Sequence, residues 1–583
     1  MLDRRAAEDE GRGQVQAHLP VGHRLRRPRI AARDPARRRA DLRGGAARDQ
    51  AARGAGSDPG PCAGSEVAGE EEGEVATGAA RRDLAWLGAL AALRFAFHLA
   101  TATRYGIFGD ELYYLACADH LAWGYVDHPP LSIGILWLWR AAFGDSLVAL
   151  RLLPGLAGAA TVFVTGLIAR ELGGGRSAQL LAALLAWFAP FYLAIAHFYS
   201  MNAFDVLFWS ALLWLAVRIL WRDERRLWLW FGALAGLGLE NKYSVAFLAF
   251  GLVVGLLATG ARRQLLSREI WIGGALAGLL FAPHLAWEAA NGAPTLEFMH
   301  NAATLKNAPV TPLGFLGGQL LLLNPLYAPI WVLGLAELLF AQRLARVRAL
   351  GVAYLALLGL MIAQQAKVYY LGPVYPLLFA AGAVGVTGFF AERGWRRASA
   401  LLGVAIAAAG ALVLPVATPV LSPEGLIAYG RALGVSEPKM ERHDSSPLPQ
   451  IFAFMLGWPE LAREVARVYA SLPPEERARA AILGRNYAEA GAIDYYGPAL
   501  GLPRAISPHN SYWSWGPGSW DGQVLIVTGA IPPERAALFE SVEVRGRTSC
   551  ALCEPFEADL PVLVARGLRI PVSQAWAELK HFE

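Results

Sequence analysis

"YGIFGDELYYLACADHLAWGYVDHPPL", Tyr105 to Leu131, follows directly on the first long apolar run of the chain. It places an adjacent acid pair, Asp110 and Glu111, where that run ends. An Asp-His-Pro-Pro begins at Asp127, after a helix-like stretch and a glycine corner. Charge is expensive beside lipid, so acids, aromatics and a histidine gathered there need a reason.

The rest of the sequence says that lipid is the setting. Of 583 residues, 55% are apolar and 17% are charged, against about 25% charged in an ordinary soluble chain. From Asp83 onward the chain repeats an apolar run followed by a short polar break. Each run is long enough for a hydrocarbon core of about 30 Å. Spans are expected near 83–103, 147–170, 177–198, 201–221, 227–240, 243–260, 270–288, 313–341, 347–364, 371–391 and 398–418. The fold class is therefore mainly α, a polytopic membrane protein of about eleven transmembrane helices, followed by an α/β domain over 420–583.

Alternate breaks differ in charge. One set is strongly basic, holding Arg81 and Arg82, then Arg170 and Arg176, Arg218 to Arg226, Arg262 to Arg268, Arg343 to Arg348, and Arg393 to Arg397. The other set carries isolated cations among His, Asn, Tyr and acids. The positive-inside rule puts the first set in the cytoplasm. The expected location is a cell (inner) membrane, with the N-terminus cytoplasmic and both the opening stretch and the C-terminal domain extracytoplasmic. The net charge of +5 is explained by these breaks and gives no ground for a nucleic-acid partner.

Residues 1–82 stand apart. The first sixty hold fourteen Arg, no Lys and eight acids, with no apolar core of a signal peptide. Mixed charge without core-forming residues reads as a disordered tail, or as a coding start placed too far upstream. The cysteines are Cys62, Cys117, Cys550 and Cys553. "CALC", Cys550 to Cys553, reads first as a local disulfide, with a redox pair or half a zinc site as the other readings.

The loop 104–146 carries the chemistry. "DELYYLACADHLAWG" reads as a short helix with Asp110, Tyr113, Tyr114, Cys117 and Leu121 along one face. "PPLSIGILWLWRAAFG" reads as a second, amphipathic helix on the bilayer surface, and "GYVDHPP" between them is a corner. On position alone Asp110 suits a helix N-cap as well as it suits catalysis. The company favours a site: Asp110, Glu111 and Asp127 share one loop with His128, Tyr113, Tyr114, Trp123 and Tyr125. Carboxylates near a low-dielectric surface are stronger bases, and aromatic faces suit sugar rings.

The motif "GDELYY…GYVDHPPL" resembles the first outer loop of the GT-C membrane glycosyltransferases, within them the protein O-mannosyltransferase and lipid A aminoarabinose transferase branch. "HFYSMNAFDVLFW", "GLGLENKYS", "APHLAWEAANGAPTLEF", "LLLLNPLYAPIWVLGL" and "KVYYLGPVYPLLFAAGA" follow in the family's order, over about residues 83 to 395. The resemblance implies transfer of a sugar from a polyprenyl-phosphate donor to a glycan, lipid or protein acceptor on the outer face. It also implies that Asp110 is the general base for the acceptor, with Glu111 in support. Asp127 falls on the family's second acid, which orients the acceptor or binds a divalent metal. His128 stands where the aminoarabinose branch carries Lys.

A lipid-phosphate leaving group needs cations. Lys242 and Lys367 lie in family motifs and are the expected contacts, with Asn202 near the cavity and Tyr370, beside Tyr369, closing over the donor. Lys306, Arg104, Arg140 and Arg151 read as side chains snorkelling to the interface. Asn202 serves equally as a helix cap. The resemblance makes His300, with Asp127, a candidate for the metal, and His284 flanks the same loop. Arg94 and His98 in the first span require an internal partner or a wet cavity.

Beyond residue 420, "AAILGRNYAEAGAIDYYG" reads as strand then helix, and "GQVLIVTGAIPPERAALFESVEV" as strand, turn and helix. "ISPHNSYWSWGPGSWDG" between them is an aromatic loop that either packs on the membrane domain or holds an acceptor. The rival classes are a transporter or flippase for lipid-linked sugars, and a silent scaffold of the same fold. A transporter would show internal repeats meeting at the midplane; here the polar residues cluster at the outer rim.

Overall fold

The computed structural model describes residues 64–434, 442 and 446–583. Residues 1–63, most of the expected tail, lie outside the described part. Helix α1 (Gly64–Thr101) shows no break at residue 82. The loop 104–146 then forms α2 (Gly109–Asp119) and α3 (Leu131–Phe143), with the expected corner between them. Leu121 falls beyond the end of α2 and is exposed, so the apolar face of that helix stops at Cys117.

The membrane part continues through α4 (Leu147–Glu171), α5 (Arg176–Phe188), α6 (Pro190–Ile195), α7 (Met201–Arg222), α8 (Leu227–Asn241), α9 (Ser244–Leu257) and α10 (Arg268–Ala290). It closes with α11 (Pro294–Asn301), α12 (Pro312–Leu323), α13 (Ala328–Phe340), α14 (Arg348–Ala363), α15 (Tyr375–Glu392), α16 (Arg396–Ala417) and α17 (Pro423–Leu433). Among the described residues, 7 helices are long and apolar enough to cross a membrane, or up to 9 if each sharply bent pair is one span.

The expected runs are all helical, but several are broken for local reasons. The run 177–198 splits at Ala189, which is extended ahead of Pro190; proline lacks the N–H that would continue the ladder and disfavours helix in the residue before it. The run 313–341 bends by 92° at Asn324–Pro325, where Asn324 takes φ +75° and its side chain accepts from the Leu326 N–H. The segment after α9 turns by 114° into Gly260–Leu266. At 15 residues, α8 is about 22 Å long, shorter than a hydrocarbon core.

Arg94 and His98 are buried in the first span. The Arg94 guanidinium donates to the carbonyls of Trp187 and Tyr192, on either side of the Pro190 break. An intramembrane cation thus answers carbonyls that the broken helix exposes.

The basic breaks meet at one end of the bundle. Arg176 pairs with Asp83 at 2.6 Å, Arg222 with Glu171 at 2.6 Å, and Arg346 donates to the Trp221 carbonyl. The loop 104–146 and the junctions α6–α7 and α8–α9 meet at the other end, as the alternation of charge predicts.

The C-terminal part is a five-stranded sheet flanked by helices. Strands β1 (Ala480–Leu483), β2 (Ala505–Ile506), β3 (Val524–Thr528), β4 (Phe539–Arg547) and β5 (Pro561–Leu568) lie in the order β2-β1-β3-β5-β4. β1 runs parallel to β2 and β3, while β5 is antiparallel to β3 and β4. The α/β reading holds, but the segment expected as a helix after β3 gives only one turn, Pro533–Ala536, and "FESVEV" is β4. Cys550 and Cys553 are joined as a disulfide, the favoured sequence reading.

Helix pairs close on glycine. A Cβ on Gly232 of α8 would lie 2.0 Å from the Gly273 carbonyl oxygen of α10, and one on Gly382 of α15 would lie 2.0 Å from the Ile330 carbonyl oxygen of α13. Small residues let backbones approach where lipid offers no hydrophobic drive. Gly232→Ala is expected to cost about 1–3 kcal/mol, because the obstacle is backbone. Gly274→Ala, whose Cβ meets open space, is the matched substitution expected to leave thermal unfolding in detergent unchanged.

Candidate active site

The site begins with how α2 is held. Gly109 packs under the Phe454 ring, where a Cβ would come within 2.2 Å, and its N–H donates to the Phe454 carbonyl at 3.1 Å. The helix starts there, so Asp110 is not its cap. Glu111 performs that task, accepting from the Phe108 N–H at 2.8 Å. Fully buried, Glu111 also accepts from the Tyr199 N–H at 2.8 Å and pairs with Arg151 at 3.0 Å. Arg151 donates further to the carbonyls of Ala102 and Gly106. It is a buried strut of the loop and does not snorkel. Arg140 likewise pairs with Asp119 and Asp145.

Asp110 is half-buried at the start of α2, where Oδ1 accepts from the Tyr487 hydroxyl at 2.9 Å. One turn on, the Tyr113 hydroxyl donates to Asp127 Oδ1 at 2.7 Å and lies 2.8 Å from Ser511 Oγ. The Ser511 N–H and side chain return bonds to the Tyr113 hydroxyl and the Val126 N–H. Burial first, and the nearby Asp127 carboxylate second, push the phenols of Tyr113 and Tyr114 well above their ordinary range. Both stay protonated donors. His128 is buried, stacked on Tyr114 at 4.8 Å and packed against Tyr125. Tyr125 is turned away, with its hydroxyl bonded to the carbonyls of Cys117 and His120. The Trp123 side chain is exposed.

A second group forms at the junctions α6–α7 and α8–α9. Lys242 Nζ donates to Asn202 Oδ1 at 2.7 Å, pairs with Asp205 at 3.6 Å, and faces the rings of Tyr369 and Tyr370 at 5.6 and 5.3 Å. Three expected donor contacts, Asn202, Lys242 and Tyr370, are thus together. Ser200, not Asn202, caps α7. Lys367 precedes the segment Val368–Val374 and is half-buried. The two groups adjoin: the Tyr114 hydroxyl accepts from the Met201 N–H at 3.3 Å, and Asn241 Nδ2 donates to the Met201 carbonyl at 3.0 Å.

A third cluster ties the loop to α10. His284 bonds the Trp123 carbonyl through Nδ1 and the Tyr243 hydroxyl through Nε2. Thr295 donates to Glu288 at 2.5 Å beside them. His300 is exposed on α11. Among the described residues no three His, Cys, Asp or Glu side chains are grouped to hold a metal ion. Asp127 and His300 do not form such a set, and Asp127 Oδ1 is engaged by Tyr113.

With this geometry in view, the comparisons with known proteins are consistent. ArnT from Cupriavidus metallidurans in the apo state superposes with a TM-score of 0.55 at 16% identity, over 85% of this chain and 99% of that one. ArnT from the same organism bound to undecaprenyl phosphate gives a TM-score of 0.54 at 15% identity, over 82% and 97%. The chain has the GT-C fold. Residues 127–287 also match the sequence profile of a family described as dolichyl-phosphate-mannose-protein mannosyltransferase. No curated protein matches the chain. The resemblance read from the outer-loop motifs is borne out at the level of this GT-C fold.

The sequence reading missed the C-terminal contribution to the GT-C outer loop. Tyr487, His509 and Ser511 come from segments more than 350 residues beyond Asp110. For "ISPHNSYWSW", packing on the membrane domain is one of the two sequence readings, without the residues that it meets. It packs on the first outer loop, with Trp515 stacked on His120 at 4.1 Å.

His509 lies behind Tyr487, their rings 4.7 Å apart. Burial first, and the nearby Lys306 second, hold its imidazole down at about 3. An unfolded chain takes up this proton near pH 6.5. Between about 6.5 and 3 the unfolded state therefore binds a proton the folded state refuses, and stability falls as pH drops. His509→Asn is expected to flatten that fall, as measured by unfolding of the full chain across the window.

Proposed function

We propose that this protein is an integral membrane glycosyltransferase that moves a sugar from a polyprenyl-phosphate donor to an acceptor hydroxyl or amine at the outer face. The observation that carries the reading is a half-buried carboxylate, Asp110, in a group that adjoins, through Tyr114 and Met201, the aromatic-walled cation Lys242 with Asn202, Tyr369 and Tyr370. ArnT, whose fold it shares, has been solved with undecaprenyl phosphate bound, which supports a lipid-phosphate donor here.

In this reading Asp110 takes the acceptor proton as the new bond to the anomeric carbon forms. The bond from that carbon to the phosphate oxygen breaks, and its electron pair leaves on the lipid phosphate. Lys242 meets the charge that develops there. Asp205 holds the lysine in place. Asp127, fixed by Tyr113, is positioned to orient the acceptor. The disulfide Cys550–Cys553 supports placing the C-terminal domain in an oxidising, extracytoplasmic compartment.

Mass spectrometry of envelope glycolipids and glycoproteins, with and without the gene, tests the activity. Asp110→Asn is expected to lower transfer about a hundredfold or more, while the protein remains at wild-type level in the membrane. Lys242→Ala is expected to weaken retention of undecaprenyl phosphate in native mass spectra. A full complement of product with Asp110→Asn would reduce the protein to a scaffold.

A further inference from the structure

Among the C-terminal side chains that meet the loop 104–146, Tyr487 is the one that bonds Asp110. Tyr487 opens the helix Tyr487–Tyr496, whose cap, Asn486, accepts from the N–H groups of Ala488 and Glu489 at 2.9 Å each. Asn486 is itself anchored to Glu557 at 2.7 Å. The Tyr487 ring lies between Tyr113 at 4.6 Å and His509 at 4.7 Å, near-parallel to both. With both faces occupied, little freedom remains in where its hydroxyl points. The helix approaches α2 closely, since a Cβ on Gly491 would lie 3.0 Å from the Leu112 carbonyl.

We propose that Tyr487 is a positioning residue for Asp110, holding that carboxylate ionised and fixed in direction so that the C-terminal domain completes the active site. The proposal rests on the reading of Asp110 as the base. A donor to the ionised form favours it over the neutral acid and restrains rotation of the carboxylate plane. Glu111 is paired with Arg151, Asp127 is bonded to Tyr113, and Tyr114 contributes a protonated phenol. Arg140 on α3 is engaged by Asp119 and Asp145. Tyr487 ties Asp110 to the other domain.

The test reads Asp110 directly, without substrate. Full-length protein in lipid nanodiscs is treated with a water-soluble carbodiimide, which modifies protonated carboxyls, over a range of pH. The extent of modification at Asp110 is followed by peptide mass spectrometry. Tyr487→Phe is expected to raise the midpoint of Asp110 modification by about one pH unit. Placing 3-fluorotyrosine at 487, a stronger donor of the same shape, is expected to lower it. Tyr495→Phe, on the same helix and bonded to the Asp145 carbonyl, is expected to leave it in place. A midpoint that is the same in wild type, Tyr487→Phe and the fluorinated protein overturns the proposal, as does an equal shift with Tyr495→Phe. The transferase reading is decided separately by product in the Asp110→Asn strain, so either can fail while the other stands.

Discussion

The buried pair between Glu111 and Arg151 is what the end of this protein that carries the loop 104–146 is built around. Both side chains are out of water, at 0% and 1% exposure, where a charge without its partner would be costly. The pair succeeds because each member is surrounded by backbone. Glu111 takes the N–H groups of Phe108 and Tyr199, and Arg151 takes the carbonyls of Ala102 and Gly106. Five separate pieces of chain are therefore fixed by one ion pair: the end of α1, the turn after it, the start of α2, the second span and the approach to α7. Asp110 and Tyr113 owe their places to this arrangement, since both project from the helix that Glu111 caps.

That assignment of labour was only half legible in the sequence. Adjacent acids at a membrane surface announce a site, and the ordered motifs announce the GT-C fold. Helical spacing puts Asp110 and Glu111 on different faces, but what stands at each face comes from distant parts of the chain. Arg151 looked like an interface cation for the same reason: its partner is forty residues away and invisible to periodicity. Lys242 was easier, since it is a lysine at a basic-poor break and its segment, "GLGLENKYS", resembles a family motif. The breaks at Pro190 and Asn324–Pro325 carry plain local signals, yet apolar content masks them when runs are counted by hydropathy.

The contribution of the C-terminal domain could not be read in advance. A sheet domain with an aromatic loop has many surfaces on which to dock, and chain order says nothing of which. The structure resolves this by stacking. Tyr113, Tyr487 and His509 form one column, and the hydroxyls of its two tyrosines reach Asp110 and Asp127. The C-terminal domain is thereby joined to the loop that carries the acids.

The ion pairs at the basic end have a consequence for biogenesis. Arg176 meets Asp83, and Arg222 meets Glu171, so in the finished fold arginines of these polar breaks are partly neutralised by carboxylates from earlier ones. Acidic residues contribute little to the rule by which arginines set orientation. Arginines act on orientation during insertion, before tertiary pairs such as these can form. Later the same guanidiniums act as rivets between neighbouring helices, a second use of charges whose first task is over before folding ends.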